Sequence, residues 1–313
     1  MNDTASSRWL GPAQLTALGF LALILTGTVL LTMPFSSADG TATAPMSALF
    51  TATSATTLTG LVTEDTGSHW SLAGQVIVLA LIQVGGLGIM SITSLTGMLL
   101  TGRVKLRSRY STAAEGRPIL EGGVRRTLVA TLLLTFFFEA VVAAILFIRF
   151  ATTYDMPLPR AAWEGVFHAI SAFNNAGFGL RSDSLISYNT DGWILIPLAG
   201  ALMIGGLGYP VLSELVRRAR ERVRGWLRGT PVSARRLSIT TRMTLKGTAF
   251  LVVSATLIIA VLEWRGFLAE MSTGTKWLNA FFSGVTPRTA GFNSIDYADA
   301  HPITLMVTDI YMF

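Results

Sequence analysis

The sequence predicts an all-α integral membrane protein built from repeated units, each a long helix, a short helix with a glycine-centred loop, and a second long helix. Three observations carry this expectation: the composition, the lengths of the apolar runs, and a motif that recurs three times at one spacing. Of 313 residues 51% are hydrophobic and only 13% charged, about half the roughly 25% charged share of ordinary soluble domains. A bilayer accommodates that surplus of apolar side chains; a water-facing surface does not.

The long runs come first. Residues 13–33, 72–100, 127–150, 193–215 and 243–262 are predominantly apolar, and each reaches the roughly 20 residues that a helix needs to cross about 30 Å of hydrocarbon. A sixth run begins near Pro302 and is still continuing at Phe313. The N-terminal MNDTASSRWLGPAQ has one cation and no small-residue cleavage site at the right distance after the first run, so that run reads as a retained span, not a signal peptide.

Between the long runs, the charge is one-sided. Arg8, the seven Arg and Lys residues from Arg103 to Arg126, and the ten from Arg217 to Lys246 account for 18 of the 24 Lys and Arg residues. They fall in segments that alternate correctly for one face, so the positive-inside rule makes the N-terminus and both basic loops cytoplasmic. Aromatic interleaving of the kind that binds nucleic acid is missing, and the basic loop 217–236 reads as a lipid or partner contact. Gly225, Gly229 and Pro231 are expected to break any long helix there.

The short runs are the informative pieces. Residues 46–56, 161–173 and 276–285 have the length to cross about half a bilayer at roughly 1.5 Å per residue. Aligned, they read LFTATSATTLTGLVTED, VFHAISAFNNAGFGLRSD and AFFSGVTPRTAGFNSID. Phe50, Phe167 and Phe281 each precede a glycine, Gly60, Gly177 and Gly291, by ten residues, and Asp65, Asp183 and Asp296 follow. Three matches at one spacing argue for internal repetition. The following long runs carry QVGGLGIM and MIGGLGYP, whose glycines suit close helix packing first and gating second. The units divide as 1–102, 103–216 with its preceding basic loop, and 217–313, the third incomplete and a fourth of a pseudo-fourfold set absent, as in a fragment.

Such a loop behind a half-length helix suits a cation. Non-helical backbone at membrane depth persists only where protein or water satisfies its polar groups, and the helix's C-terminal dipole end favours positive charge nearby. Backbone carbonyls of Thr57, Leu58, Thr59 and Gly60, of Asn174, Asn175, Ala176 and Gly177, and of Thr289, Ala290 and Gly291 could then replace water around a dehydrated ion, with glycine permitting the turn. No carboxylate stands at the loop centres, which fits potassium better than calcium and leaves sodium open. Arg288, one residue before the third stretch, is expected to point behind its loop as filter support. Glu139, flanked by FFF and AVV, is an intramembrane carboxylate with an interhelical hydrogen bond as the first reading and a functional role as the second. The three acids after the loops either concentrate cations at the mouth or are ordinary loop acids.

The loops TTLTGL, FNNAGF and TPRTAGFN, with GGLG on the following run, resemble the Trk/Ktr/HKT superfamily of potassium transporters, its KtrB or TrkH subunits above all. The resemblance covers essentially the whole chain. It implies K+ as the transported ion, a homodimer in the cytoplasmic membrane, a cytoplasmic nucleotide-binding regulatory ring that alone would hold nucleotide, and Na+ as a possible coupling or activating ion. It implies no enzyme and no covalent cofactor. Cysteine is absent and His69, His168 and His301 are scattered, which excludes disulfides and thiolate chemistry and leaves no clustered catalytic or metal-ligating set. A non-conducting scaffold and a Na+/K+ non-selective transporter remain the competing readings.

Overall fold

The protein, described here from a computed structural model covering residues 12–88, 121–229, 237–288 and 290–312, is helical throughout its described elements. Ten α-helices follow in order: α1 (Pro12–Thr32), α2 (Pro45–Thr57), α3 (described from Leu72 to Gly88), α4 (Glu121–Thr153), α5 (Leu158–Phe173), α6 (Gly192–Gly206), α7 (Tyr209–Arg228), α8 (Ile239–Glu263), α9 (Thr273–Val285) and α10 (Pro302–Met312). The three short helices α2, α5 and α9 stand where the short apolar runs place them. Prolines at the first turn start α2 and α5, where a missing N–H costs nothing because that donor has no intrahelical partner. Ser272 caps α9 by accepting from the Thr275 N–H.

Among the described residues, two helical stretches, Val129–Thr153 and Ile239–Glu263, are long and apolar enough to cross a membrane, and α6 with α7 would make a third if counted as one bent span. Thr16–Thr32 and Leu72–Gly88 are shorter apolar helices. Residues 89–100 of the expected 72–100 span and the basic segment 103–120 lie outside the described residues.

The expected 193–215 span is corrected. The chain bends by 110° between α6 and α7, because Gly208 takes φ +78 and Pro210, in the first turn of α7, has no N–H to continue the α6 ladder. The helix-breaking role expected of Gly225 is corrected too. Gly225 is buried inside α7, which continues to Arg228 and stops at Gly229 with φ +61; one glycine costs a helix only about 1 kcal/mol.

Each short helix packs on the long helix before it: α2 on α1, α5 on α4, α9 on α8. The largest core cluster joins α4, α5, α6 and α9 through Leu146, Phe150, Phe173, Leu198 and Phe282. A second gathers Leu31, Trp70 and Ile82 with Phe167 and Phe178, so the short helix α5 also packs into a cluster with α1 and α3. Large apolar side chains on the far sides of α4 and α8, such as Leu133, Phe137, Phe250 and Val261, are exposed, as expected of a surface whose solvent is lipid.

Long helices are clasped at the loop-rich end by three different chemistries. Asp191 caps α6 through the Trp193 N–H at 2.9 Å and is held by Arg149 at 2.6 Å and the Tyr154 hydroxyl at 3.2 Å. Buried Glu263, at the end of α8, accepts from the His301 N–H at 2.9 Å and from the Thr304 hydroxyl at the start of α10. Just before α3 the Ser71 hydroxyl reaches the Phe35 carbonyl at 2.6 Å. At the opposite end, Glu214 of α7 accepts from the Thr241 hydroxyl at 2.5 Å and the Ser238 hydroxyl at 2.7 Å. These bonds, Thr241's first, outweigh partial burial and pull its carboxyl down to about 2.

Candidate ion pathway

The short helices deliver their loops to one place. Gly60, Gly177 and Gly291 all adopt left-handed backbone, at φ +78, +73 and +69, a conformation that side chains rarely tolerate. Two residues earlier, Leu58 and Asn175 are also left-handed, at φ 60 and 55; the third residue of this set, Thr289, lies outside the described residues. The Thr59 and Ala176 N–H groups, one residue before their glycines, each bond back to a serine carbonyl, Ser54 at 2.9 Å and Ser171 at 2.8 Å. The first two loops are therefore turned by the same hydrogen bond.

These loops touch one another. A Cβ placed on Gly60 would stand 2.7 Å from the Ala176 carbonyl oxygen, and one on Gly177 would stand 2.7 Å from the Gly291 Cα and 2.8 Å from the Ala290 oxygen. An ion passing between the second and third loops would need them to part. Thr59, Gly60, Gly177, Ala290 and Gly291 line a single cavity of about 630 Å³, whose other walls include Asp65, Arg181, Asn293 and Met312. Leu58, Asn174 and Asn175 are not on that wall.

Their side chains instead hold the loops from behind. Asn174 Nδ2 donates to Glu139 Oε1 at 3.1 Å and to Gln83 Oε1 at 3.2 Å, and Gln83 Nε2 donates to Glu139 Oε2 at 3.2 Å. Glu139 is 4% exposed, and the closed triangle ties α3, α4 and the second loop together. Asn175, with its amide oxygen toward α6, donates to the Leu202 carbonyl at 3.1 Å and accepts from the Gly206 N–H at 3.2 Å. Thr57 and Thr59 share a hydroxyl hydrogen bond of 2.7 Å. The Arg288 guanidinium lies 4.0 Å from a Cβ built on Gly206 of α6 and is absent from the cavity wall.

The paired glycines of α3 and α6 explain how helices come this close. A Cβ on Gly85 would sit 2.1 Å from the Thr56 carbonyl, and one on Gly205 1.8 Å from the Phe173 carbonyl. Thr56 and Phe173 stand four residues before Gly60 and Gly177, so equivalent glycines admit equivalent short-helix ends. The next glycines each reach a different loop: Gly86 abuts Asn174, and Gly206 lies beside Arg288, each three residues before a loop glycine.

The acids divide. Asp65 stands at the cavity wall while accepting from the Gly67 and Ser68 N–H groups and the Ser68 hydroxyl. Asp183 pairs with Arg181 at 3.1 Å and accepts from Ser187. Burial raises its carboxyl, but these hydrogen bonds and the guanidinium charge outweigh it, leaving it below its usual range. Asp296 caps a turn through the Ala298 N–H. Of the histidines, His168 is fully buried, bonding the Glu164 carbonyl at 2.8 Å among Phe150, Phe167 and Phe292; His69 and His301 serve loop contacts. The α6–α7 break was missed from sequence, though Gly208 before Tyr209-Pro210 was a readable signal. Nothing local announces that Gln83, Glu139 and Asn174 meet.

A bundle of apolar helices whose short members bring their glycine loops together marks a membrane protein. The chain belongs to the TrkH cation transport protein family, whose model matches residues 12–313. It is 36% identical over 308 residues to the Ktr system potassium uptake protein B of Bacillus subtilis, covering 96% of this chain and 64% of that protein. It is 33% identical over 306 residues to the potassium/sodium uptake protein NtpJ of Enterococcus hirae, covering 97% of this chain and again 64% of the relative. Among solved structures, the potassium transporter TrkH of Vibrio parahaemolyticus superposes with a TM-score of 0.62 at 18% identity, over 94% of this chain and 55% of that one. The chain thus spans somewhat under two thirds of the length of these relatives.

Proposed function

We propose that this chain carries the potassium pathway of a Trk/Ktr-type uptake system, with Thr57–Gly60, Asn174–Gly177 and Thr289–Gly291 supplying the backbone carbonyls that select the ion. The observation that carries this reading is the convergence of three left-handed glycines, at the ends of three short helices, on one cavity. Dipole ends and carbonyls directed at a common point favour a dehydrated monovalent cation. The potassium names of the relatives support the ion. The name of the Enterococcus relative favours a second reading, transport of both potassium and sodium.

In this reading the repeat units are 1–102, 103–216 and 217–313, the protein lies in the cytoplasmic membrane with its N-terminus inside, and it works as a homodimer under a cytoplasmic nucleotide-binding ring. The charge distribution supports the orientation; the dimer and the ring rest on family resemblance. The test is rubidium uptake by cells lacking their own potassium transporters, given the protein as its gene encodes it together with a regulatory subunit. Rubidium flux that excess sodium leaves unchanged is expected for the potassium reading, and flux that sodium suppresses favours the second. Protein that reaches the membrane and moves neither ion sinks both.

A further inference from the structure

We infer that the wedge between α4 and α7 is a binding site for an anionic phospholipid, its phosphate on α7 and its acyl chain on α4. Near the bend, Thr131, Leu134 and Thr135 of α4 close against Tyr209 and Leu212 of α7 around a space of about 10 Å³. Farther along, the same two helices enclose an open groove of about 790 Å³. One wall is apolar, with Ala130, Leu133 and Phe137 of α4. The other carries Arg217, Arg220 and Arg224 of α7.

Three features fit a lipid. The arginines are spaced three and four residues apart, which stacks them on one helical face. All three are exposed and, among the described residues, make no salt bridge. One acid, Glu221, shares the wall, leaving a surplus of two positive charges facing the groove. The opposite wall is hydrocarbon: Leu133 is 67% and Phe137 60% exposed. Guanidinium groups bind phosphate oxygens through paired N–H donors, and an apolar surface directly across from them suits the tail of the same molecule better than it suits a free anion. An acidic protein surface would satisfy the arginines but leave the α4 wall bare. The 110° bend between α6 and α7 is what turns the charged face of α7 toward the apolar face of α4 across this groove.

The test uses the purified chain in neutral detergent, mixed with phosphatidylglycerol or phosphatidylcholine, with retained lipid counted by native mass spectrometry. Preferential retention of phosphatidylglycerol is expected. The triple substitution R217Q/R220Q/R224Q should lower that preference at least about tenfold, since each surface cation near an anionic membrane contributes on the order of a fivefold gain. All three positions are exposed, so the fold should persist. Arg222→Gln, on another face of α7, should leave the preference intact, and Leu133→Ser should weaken retention without abolishing the headgroup preference. Equal retention of both lipids, or a triple variant that still prefers phosphatidylglycerol, overturns the proposal. If the triple variant instead loses only capture of a regulatory subunit, the face belongs to a protein partner. None of these readouts depends on ion flux, so failure here and failure of the transport reading are separable.

Discussion

At the scale of single residues, two positions are decisive for different reasons. Gly177 combines φ +73 with contact against Gly291 and Ala290. An alanine there meets about 1–2 kcal/mol of left-handed strain and has backbone, not a yielding side chain, in its way. Gly177→Ala is therefore expected to reduce rubidium uptake at least about tenfold while the protein still reaches the membrane, checked by flux beside surface labelling. Glu139 acts from behind the loop. Glu139→Ala strips two acceptors from a buried triangle, and each amide left unpaired costs about 1–3 kcal/mol; Glu139→Gln keeps the shape and one acceptor. The alanine variant should lower the unfolding temperature more than the glutamine variant, and both should shift the rubidium-to-sodium flux ratio. An unchanged ratio would reduce Glu139 to a packing role.

At the scale of elements, the short helices were legible and the bent one was not. A run of 10 to 13 apolar residues cannot span the bilayer, so length alone marked α2, α5 and α9 as half-length. The α6–α7 region read as one span because hydropathy averages across Gly208 and Pro210, whereas backbone geometry depends on each of them separately. The absence of cysteine makes the bend directly measurable. Spin labels on cysteines introduced at Ile196 and Arg222, both exposed, should report a short interspin distance. Adding Gly208→Ala and Pro210→Ala should lengthen it as α7 swings toward the α6 axis. An unaltered distance would mean that the Glu214 bonds to Ser238 and Thr241 hold the bend without help from the backbone.

At the scale of the whole molecule, the proposed repeat units interlock rather than stand strung together. Gly86, on α3 in the first proposed unit, faces Asn174 in the second, with a would-be Cβ 2.0 Å from its amide oxygen. Asn174 has little freedom to retreat, being pinned by Gln83 and Glu139. Gly86→Ala is thus expected to alter cation selectivity through the second loop although the substitution lies in the first unit. Gly200→Ala, on α6 with open space around it, should leave flux and selectivity as they are. Equal effects from both would argue that helix glycines act through flexibility instead of contact.

The sequence by itself determined the helical membrane fold, the three half-length helices and the glycines that end them. Those features follow from run length, spacing and the backbone freedom of one residue type, all of which are local. Only the tertiary structure decided that the loops meet at one cavity, that Glu139, Gln83 and Asn174 close a triangle behind the second loop, and that the basic stretch runs as a helix as far as Arg228, facing α4 across a groove. These contacts join residues at least 35 positions apart in the chain, and no local pattern encodes which helix face turns toward which neighbour until packing has fixed it.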